Sequence, residues 1–124
     1  MATTERPLSP HLQIYKPQLT SVLSITHRGT GVFLSLGALF LSYWLYTIAS
    51  GPETYSNFQL HIQSWYGNIL LLLWIFSLFY HLCNGIRHLC WDAGYGFDIN
   101  TTYLTGYITI AVSIILTVIT WCLA

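Results

Sequence analysis

Gly31-Val-Phe-Leu-Ser-Leu-Gly-Ala-Leu-Phe-Leu-Ser-Tyr-Trp-Leu-Tyr46 carries no Asp, Glu, Lys or Arg. It is the body of a longer charge-free window that runs from Gly29 to Pro52. Two more such windows follow, from Thr54 to Ile86 and from Ile99 to Ala124. A membrane-spanning helix needs roughly 20 predominantly apolar residues. Each window holds one such helix and is too short for two. The sequence therefore predicts an all-α integral membrane chain with three transmembrane helices, at about 22–49, 64–89 and 102–123.

Composition agrees. Of the 124 residues, 54% are hydrophobic, 16% aromatic and only 6% charged. A soluble domain carries about 25% charged residues, so a water-facing surface could not be built from this chain. The four basic and four acidic residues cancel. A nucleic-acid partner would need a basic face, and none is expected. The chain reads as one membrane-anchor domain, 1–124. Residues 1–20, interrupted by Pro7, Pro10 and Pro17, read as a membrane-surface arm. They lack the uninterrupted apolar run of a signal peptide.

Arg6, Lys16 and Arg28 precede or open the first span, and Arg87 closes the second. The intervening loop, from Ala49 to about Gln63, has no Lys or Arg. All four basic residues thus fall on one side, which the positive-inside rule makes the cytoplasm or its organellar equivalent. Tyr43, Trp44, Trp65, Tyr66, Trp91 and Trp121 sit near span ends, as interfacial aromatics do. Cys83, Cys90 and Cys122 have no metal-binding spacing and read as small packing residues. Cys83 and Cys90 would lie ~10.5 Å apart along one helix, beyond disulfide reach.

Two places carry polar chemistry. On the second span Gly67, Trp74, His81 and His88 recur every seven residues and form one stripe, with Asn84 and Gly85 between the histidines. His81 lies ~9 Å deeper than Arg87 along the helix. An ionisable residue at that depth is a functional candidate. It is either a neutral histidine bonded to a neighbouring helix or a metal or haem ligand. At the start of the first span, Ser24 and Arg28 share a face. Arg28 is either a snorkelling boundary residue or a guanidinium that holds carboxylates or polarises a quinone carbonyl. The stripe continues through Gly31, Ser35, Ala38 and Ser42, the small-residue pattern of close helix packing. On the third span Thr102, Gly106, Thr109, Ser113 and Thr120 are expected to pack or bond between helices. His81 and His88 project from one side of one helix and cannot sandwich one iron. A bis-histidine haem would need its second ligand from another chain.

Three stretches carry a resemblance: Arg6-Pro-Leu-Ser-Pro-His-Leu-Gln-Ile-Tyr15, Ser24-Ile-Thr-His-Arg-Gly-Thr-Gly31 and His81-Leu-Cys-Asn-Gly-Ile-Arg-His-Leu-Cys-Trp-Asp92. The chain resembles, over nearly its whole length, the large cytochrome b membrane-anchor subunits of succinate dehydrogenase, respiratory complex II. The resemblance implies that His81 is an axial ligand of one haem b shared with a partner subunit. It implies that Ser24 and Arg28 belong to a ubiquinone site and that His27 and Arg28 lie close to the haem propionates. His88 and Asp92 are motif residues of less defined role. It further implies a flavoprotein, an iron–sulfur subunit and a small membrane anchor as partners, within a multi-subunit haem-binding helical bundle. The location implied is the bacterial inner membrane with a cytoplasmic N-terminus, or the mitochondrial inner membrane for an organelle-encoded chain. The chain itself has no dinucleotide fingerprint and no iron–sulfur cysteine pattern, so it would pass electrons from succinate to quinone without oxidising succinate. The rival readings are the anchor of a quinol-oxidising fumarate reductase, and a structural or proton-conducting membrane subunit.

Overall fold

The computed structural model describes residues 16–124. The motif Arg6–Tyr15 and most of the expected surface arm lie outside the described residues. Leu19 and Thr20, assigned to that arm, already belong to the first helix. Four helices follow one another: α1 Leu19–Ser50, α2 Pro52–Ile62, α3 Trp65–Asp92 and α4 Ile99–Leu123. Among the described residues there is no strand. Three of the helices, α1, α3 and α4, are long and apolar enough to cross a membrane.

Local sequence explains where each helix begins and ends. Gly51 takes φ +113°, which breaks α1. Pro52 then starts α2 at a position where its missing N–H is harmless. The stretch expected as a loop therefore contains a helix. α2 folds back on α1 through Phe58, whose ring lies 5.7 Å from Tyr43 and 6.4 Å from Phe40, centroid to centroid. Ser64 caps α3 by accepting the Gly67 N–H at 3.2 Å. At the far end, Gly94 adopts φ +88°. The Tyr95 N–H reaches the Cys90 carbonyl at 2.9 Å and the Gly94 N–H that of Trp91 at 2.8 Å. This is a Schellman ending, which needs a left-handed residue at Gly94. Asp98 caps α4 through the Thr101 N–H at 3.2 Å.

The bundle has α3 at its centre, packed on both α1 and α4. Its polarity is inverted relative to a soluble protein. The buried hydrophobic residues are Leu23 and Tyr80, whereas Thr30, Thr47, Ser77, Asn84, Arg87, Thr109, Ser113 and Thr117 are buried polar ones. Leu39, Phe40, Leu104 and Ile115 face outward. Lipid offers no hydrophobic drive to bury leucine, so small residues that allow close approach take the interfaces. The α4 stripe behaves accordingly. Gly106, Thr109, Ser113 and Thr117 are buried, with Thr102 and Thr120 half-buried. Of the two expected roles, packing or bonding between helices, the buried hydroxyls take the first. Ser113 Oγ donates to the Thr109 carbonyl at 2.6 Å, and Thr117 Oγ1 to that of Ser113 at 2.7 Å. Both are satisfied on their own helix, which leaves a smooth packing face. On α1, Ser35, Ala38 and Ser42 are exposed, so the expected small-residue contact is confined within this chain to Gly31.

α1 instead approaches α3 at Gly37. A Cβ at that position would collide with the Trp74 indole. Overpacking of such a contact costs about 1–3 kcal/mol. Gly37→Ala is therefore expected to lower the thermal midpoint of the detergent-solubilised protein. Gly29→Ala, where this chain has no atom within 4 Å of the added carbon, is expected to leave it unchanged or slightly raised. Equal midpoints for the two variants would contradict the role of the Gly37–Trp74 contact.

Candidate functional site

The N-terminal third of α1 and the C-terminal third of α3 run side by side. Tyr80 fixes their register: its hydroxyl donates to the Leu23 carbonyl at 2.8 Å. One residue on, the His81 imidazole lies against α1. Its Nδ1 is 3.1 Å from the His27 carbonyl oxygen and 3.2 Å from Thr30 Oγ1. The Thr30 hydroxyl hydrogen is itself directed to the His27 carbonyl at 2.8 Å. Both neighbours of Nδ1 are thus acceptors. The His27 carbonyl can only accept, so this contact assigns the hydrogen to Nδ1, the tautomer that leaves the ring's lone pair on Nε2. No described residue hydrogen-bonds Nε2. A Cβ at Gly31 would come within 3.1 Å of His81 Cε1, so the absence of a side chain there makes room for the imidazole.

The His27 ring stacks on His81 at 3.9 Å and 7°. It also lies 5.3 Å from His88, tilted by 41°. His88 in turn meets Trp91 edge-on at 5.0 Å. His27 Nδ1 is buried and makes no hydrogen bond. The three histidines named from sequence are therefore brought together. Ser24 is half-buried and Arg28 exposed, both on the same N-terminal part of α1. Arg28 forms no ion pair among the described residues. Asp92 is exposed as the last residue of α3, one turn beyond His88.

A haem fits this donor set in two respects. His81 offers an unbonded imidazole nitrogen whose opposite N–H is already fixed, the usual second-layer arrangement of a metal-ligating histidine. His27 offers a buried ring nitrogen with no partner, beside an Arg28 with no carboxylate, and a propionate would supply both. Among the described residues no second histidine faces His81 from the opposite side, and no group of three or more His, Cys, Asp or Glu could hold a bare metal ion.

Sequence reasoning missed several contributors. Thr30 was unmarked because a lone threonine carries no chemical signal. Tyr80 was not singled out, and Asn84, assigned from sequence to the histidine face, instead bonds Arg87; with Tyr80 the two form a second polar stripe on α3 at spacings of four and three. Arg87, read as a boundary charge, is in fact buried.

Comparison with known proteins bears on the same surfaces. Residues 2–120 match the family described as the succinate dehydrogenase/fumarate reductase transmembrane subunit. The chain is 47% identical to a succinate dehydrogenase cytochrome b556 subunit of Rickettsia prowazekii (strain Madrid E), covering 94% of this chain and 91% of that one. It is 44% identical to a succinate dehydrogenase cytochrome b560 subunit of Reclinomonas americana, over 94% and 84% of the two chains. Identity to the cytochrome b556 subunit of Paracoccus denitrificans is 39%, over 93% and 88%. A three-span helical bundle with an inward histidine stripe, matched over nearly its whole length, belongs to the succinate dehydrogenase/fumarate reductase transmembrane subunit family.

Proposed function

We propose that this chain is the cytochrome b membrane anchor of a succinate dehydrogenase, that it shares one haem b with a smaller anchor subunit, and that it forms part of a ubiquinone-reduction site. The observation that carries the reading is the seat of His81. Its Nδ1–H is held by the His27 carbonyl and Thr30, which leaves Nε2 as the donor. The relatives' names supply the rest: each is a succinate dehydrogenase subunit and a cytochrome b. That naming favours succinate oxidation over the fumarate-reducing alternative.

When bound, haem b accepts and returns single electrons. His81 would hold the iron, while His27 and Arg28 would hold the propionates. Among the described residues no opposite ligand faces His81, which supports a partner chain as its source. Flavin and iron–sulfur subunits would supply electrons from the side on which the basic residues congregate. That is the cytoplasmic side of a bacterial inner membrane, or the corresponding side of the mitochondrial one. The stacked rings of His27 and His81 touch face to face, without an N–H···N bond between them. This weighs against a histidine proton wire.

Arg28 and Ser24, one turn apart, face the same side of α1. A quinone carbonyl gains negative charge as it is reduced, and a guanidinium with a nearby hydroxyl stabilises that charge. His88 and Asp92 lie further along α3 toward its end, as second-tier candidates of less defined role.

Three outcomes test the reading. Replacing His81 with Ala in the assembled complex is expected to abolish the six-coordinate low-spin haem spectrum. An unchanged bis-histidine signal would remove His81 as the ligand. Thr30→Val keeps the shape but deletes one acceptor of the His81 N–H. It is expected to retain haem while shifting its reduction potential upward, because a less strongly bonded N–H makes the imidazole a poorer donor to oxidised iron. Thr30→Ser should restore the wild-type potential, and identical potentials in all three forms would dismiss the role of Thr30. Arg28→Leu is expected to lower the ratio of quinone-reductase to dye-reductase activity by roughly 10²-fold, and Ser24→Ala by less. A wild-type ratio in Arg28→Leu would return Arg28 to a boundary residue.

A further inference from the structure

Arg87 is the charged group that the haem and quinone reading leaves unused. It lies six residues from His81, which turns it about 120° around α3 away from the histidine stripe. It is only 6% exposed. Its Nε donates to Thr105 Oγ1 at 3.1 Å, Nη1 to Asn84 Oδ1 at 3.3 Å and Nη2 to the Thr102 carbonyl at 2.8 Å. The guanidinium carbon stands 4.2 Å from the centre of the Trp91 ring. All four partners are neutral. Among the described residues no carboxylate pairs with Arg87. A guanidinium has five N–H donors and does not lose its proton. Two donors therefore remain unfilled, on a full positive charge withdrawn from water.

The charge borders an opening. A cleft of about 240 Å³ lies between α3 and α4, lined by Arg87 with Cys83, Ile86 and Ile108 toward the membrane interior and Trp91 and Tyr95 toward the helix end. Apart from Arg87 and two threonines its lining is apolar or aromatic. Ile86 and Ile108 are about half-exposed and continue onto the lipid-facing surface, and Tyr95 is largely exposed. Five residues separate Arg87 from the end of α3 at Asp92, so the guanidinium sits ~7.5 Å inside that end. This is the depth at which a headgroup phosphate meets the acyl boundary, beside two aromatics of the type that line it.

We propose that this cleft binds an anionic glycerophospholipid, with its phosphodiester on Arg87 and an acyl chain along Ile86 and Ile108. The stoichiometry of donors fits. A phosphodiester monoanion presents two non-bridging oxygens, equal in number to the N–H groups that remain, and bonds between them would be charge-assisted. A free phosphate dianion would need more donors than the cleft has, and would leave the apolar walls against water. Basic pockets between spans on the positive side of a membrane have the chemistry to hold anionic headgroups. A choline headgroup would place its own cation beside Arg87, so a zwitterionic lipid is disfavoured.

The test uses the whole detergent-solubilised complex, stripped of lipid and titrated with phosphatidylglycerol, phosphatidylcholine or inorganic phosphate. Bound lipid is counted by native mass spectrometry and the thermal midpoint is followed in parallel. Wild type is expected to retain phosphatidylglycerol about tenfold more tightly than phosphatidylcholine, the range of one charge-assisted contact, and to be stabilised by it. Ile108→Trp fills the cleft and leaves every hydrogen bond of Arg87 in place. It is expected to lose that preference, as is Arg87→Gln where it assembles. The proposal is overturned if phosphatidylcholine binds equally in wild type, or if inorganic phosphate stabilises as much as phosphatidylglycerol. It is equally overturned if Ile108→Trp keeps the wild-type preference, or if a carboxylate of a partner subunit is found on Arg87. None of these readouts depends on haem, so failure here is separable from failure of the His81 assignment.

Discussion

The hydrogen bond from His81 Nδ1 to the His27 carbonyl, 3.1 Å long, is where the backbone of one span meets the chemistry of another. A helix carbonyl normally has its own i+4 partner, and this one is also approached by the Thr30 hydroxyl and by His81 Nδ1. In hydrocarbon there is no water to take over if that donor moves, so the contact fixes both the ring's tautomer and the rotation of α3 about its axis. Gly31 permits the approach and Tyr80 sets the register one residue earlier through the Leu23 carbonyl. The two α1 carbonyls, at Leu23 and His27, are four residues apart. They therefore face the same way, and both receive side chains of α3 that are neighbours in sequence.

The remaining architecture follows from the same scarcity of water. Among the described residues α3 packs most extensively on the other two spans, and it carries the polar side chains that cross between helices. Tyr80 and His81 reach α1, while Arg87 reaches α4. α4 answers with a carbonyl and a threonine hydroxyl and otherwise keeps its hydroxyls to itself. Asymmetry of this kind concentrates specificity on one helix. Leucine and isoleucine, dispersed over the outside, contribute little to the choice of partner face, because lipid and protein are equally apolar to them.

The number and type of the spans were legible in the sequence because the absence of charge over some twenty residues has a single physical solution in a bilayer. The three spans fall within a few residues of the helices α1, α3 and α4. α2 was not legible as a helix, since a polar stretch of Ser56, Asn57, Gln59 and Gln63 resembles a loop, and Phe58 gains its role only from Phe40 and Tyr43 in space. The histidine cluster was half legible. The seven-residue spacing put His81 and His88 on one stripe, but nothing in sequence says that His27 stacks between them or that Thr30 faces Nδ1. Arg87 was read only as the charge that closes the second span, and its burial was not legible because its neighbours in sequence are the helix end. Its actual partners, Thr102 and Thr105, come from beyond the Gly94–Gly96 turn. Small-residue stripes were the least decisive signal: on α4 the stripe is buried, whereas on α1 Ser35, Ala38 and Ser42 face outward.

Two polar stripes on one helix divide the bundle into functional halves. His81 and His88 look toward the start of α1, where Ser24, His27 and Arg28 gather. Tyr80, Asn84 and Arg87 run alongside them, and the last two are tied to each other and, through Arg87, to α4. Asn84 joins the halves. It is completely buried, its Oδ1 accepts from Arg87, and its Nδ2 has no partner. An unbonded buried amide donor in a membrane is costly, and it lies three residues from His81 on the neighbouring flank. On the proposed reading, fewer than two turns of α3 separate the residue that would hold the haem iron from the one that would hold a lipid phosphate.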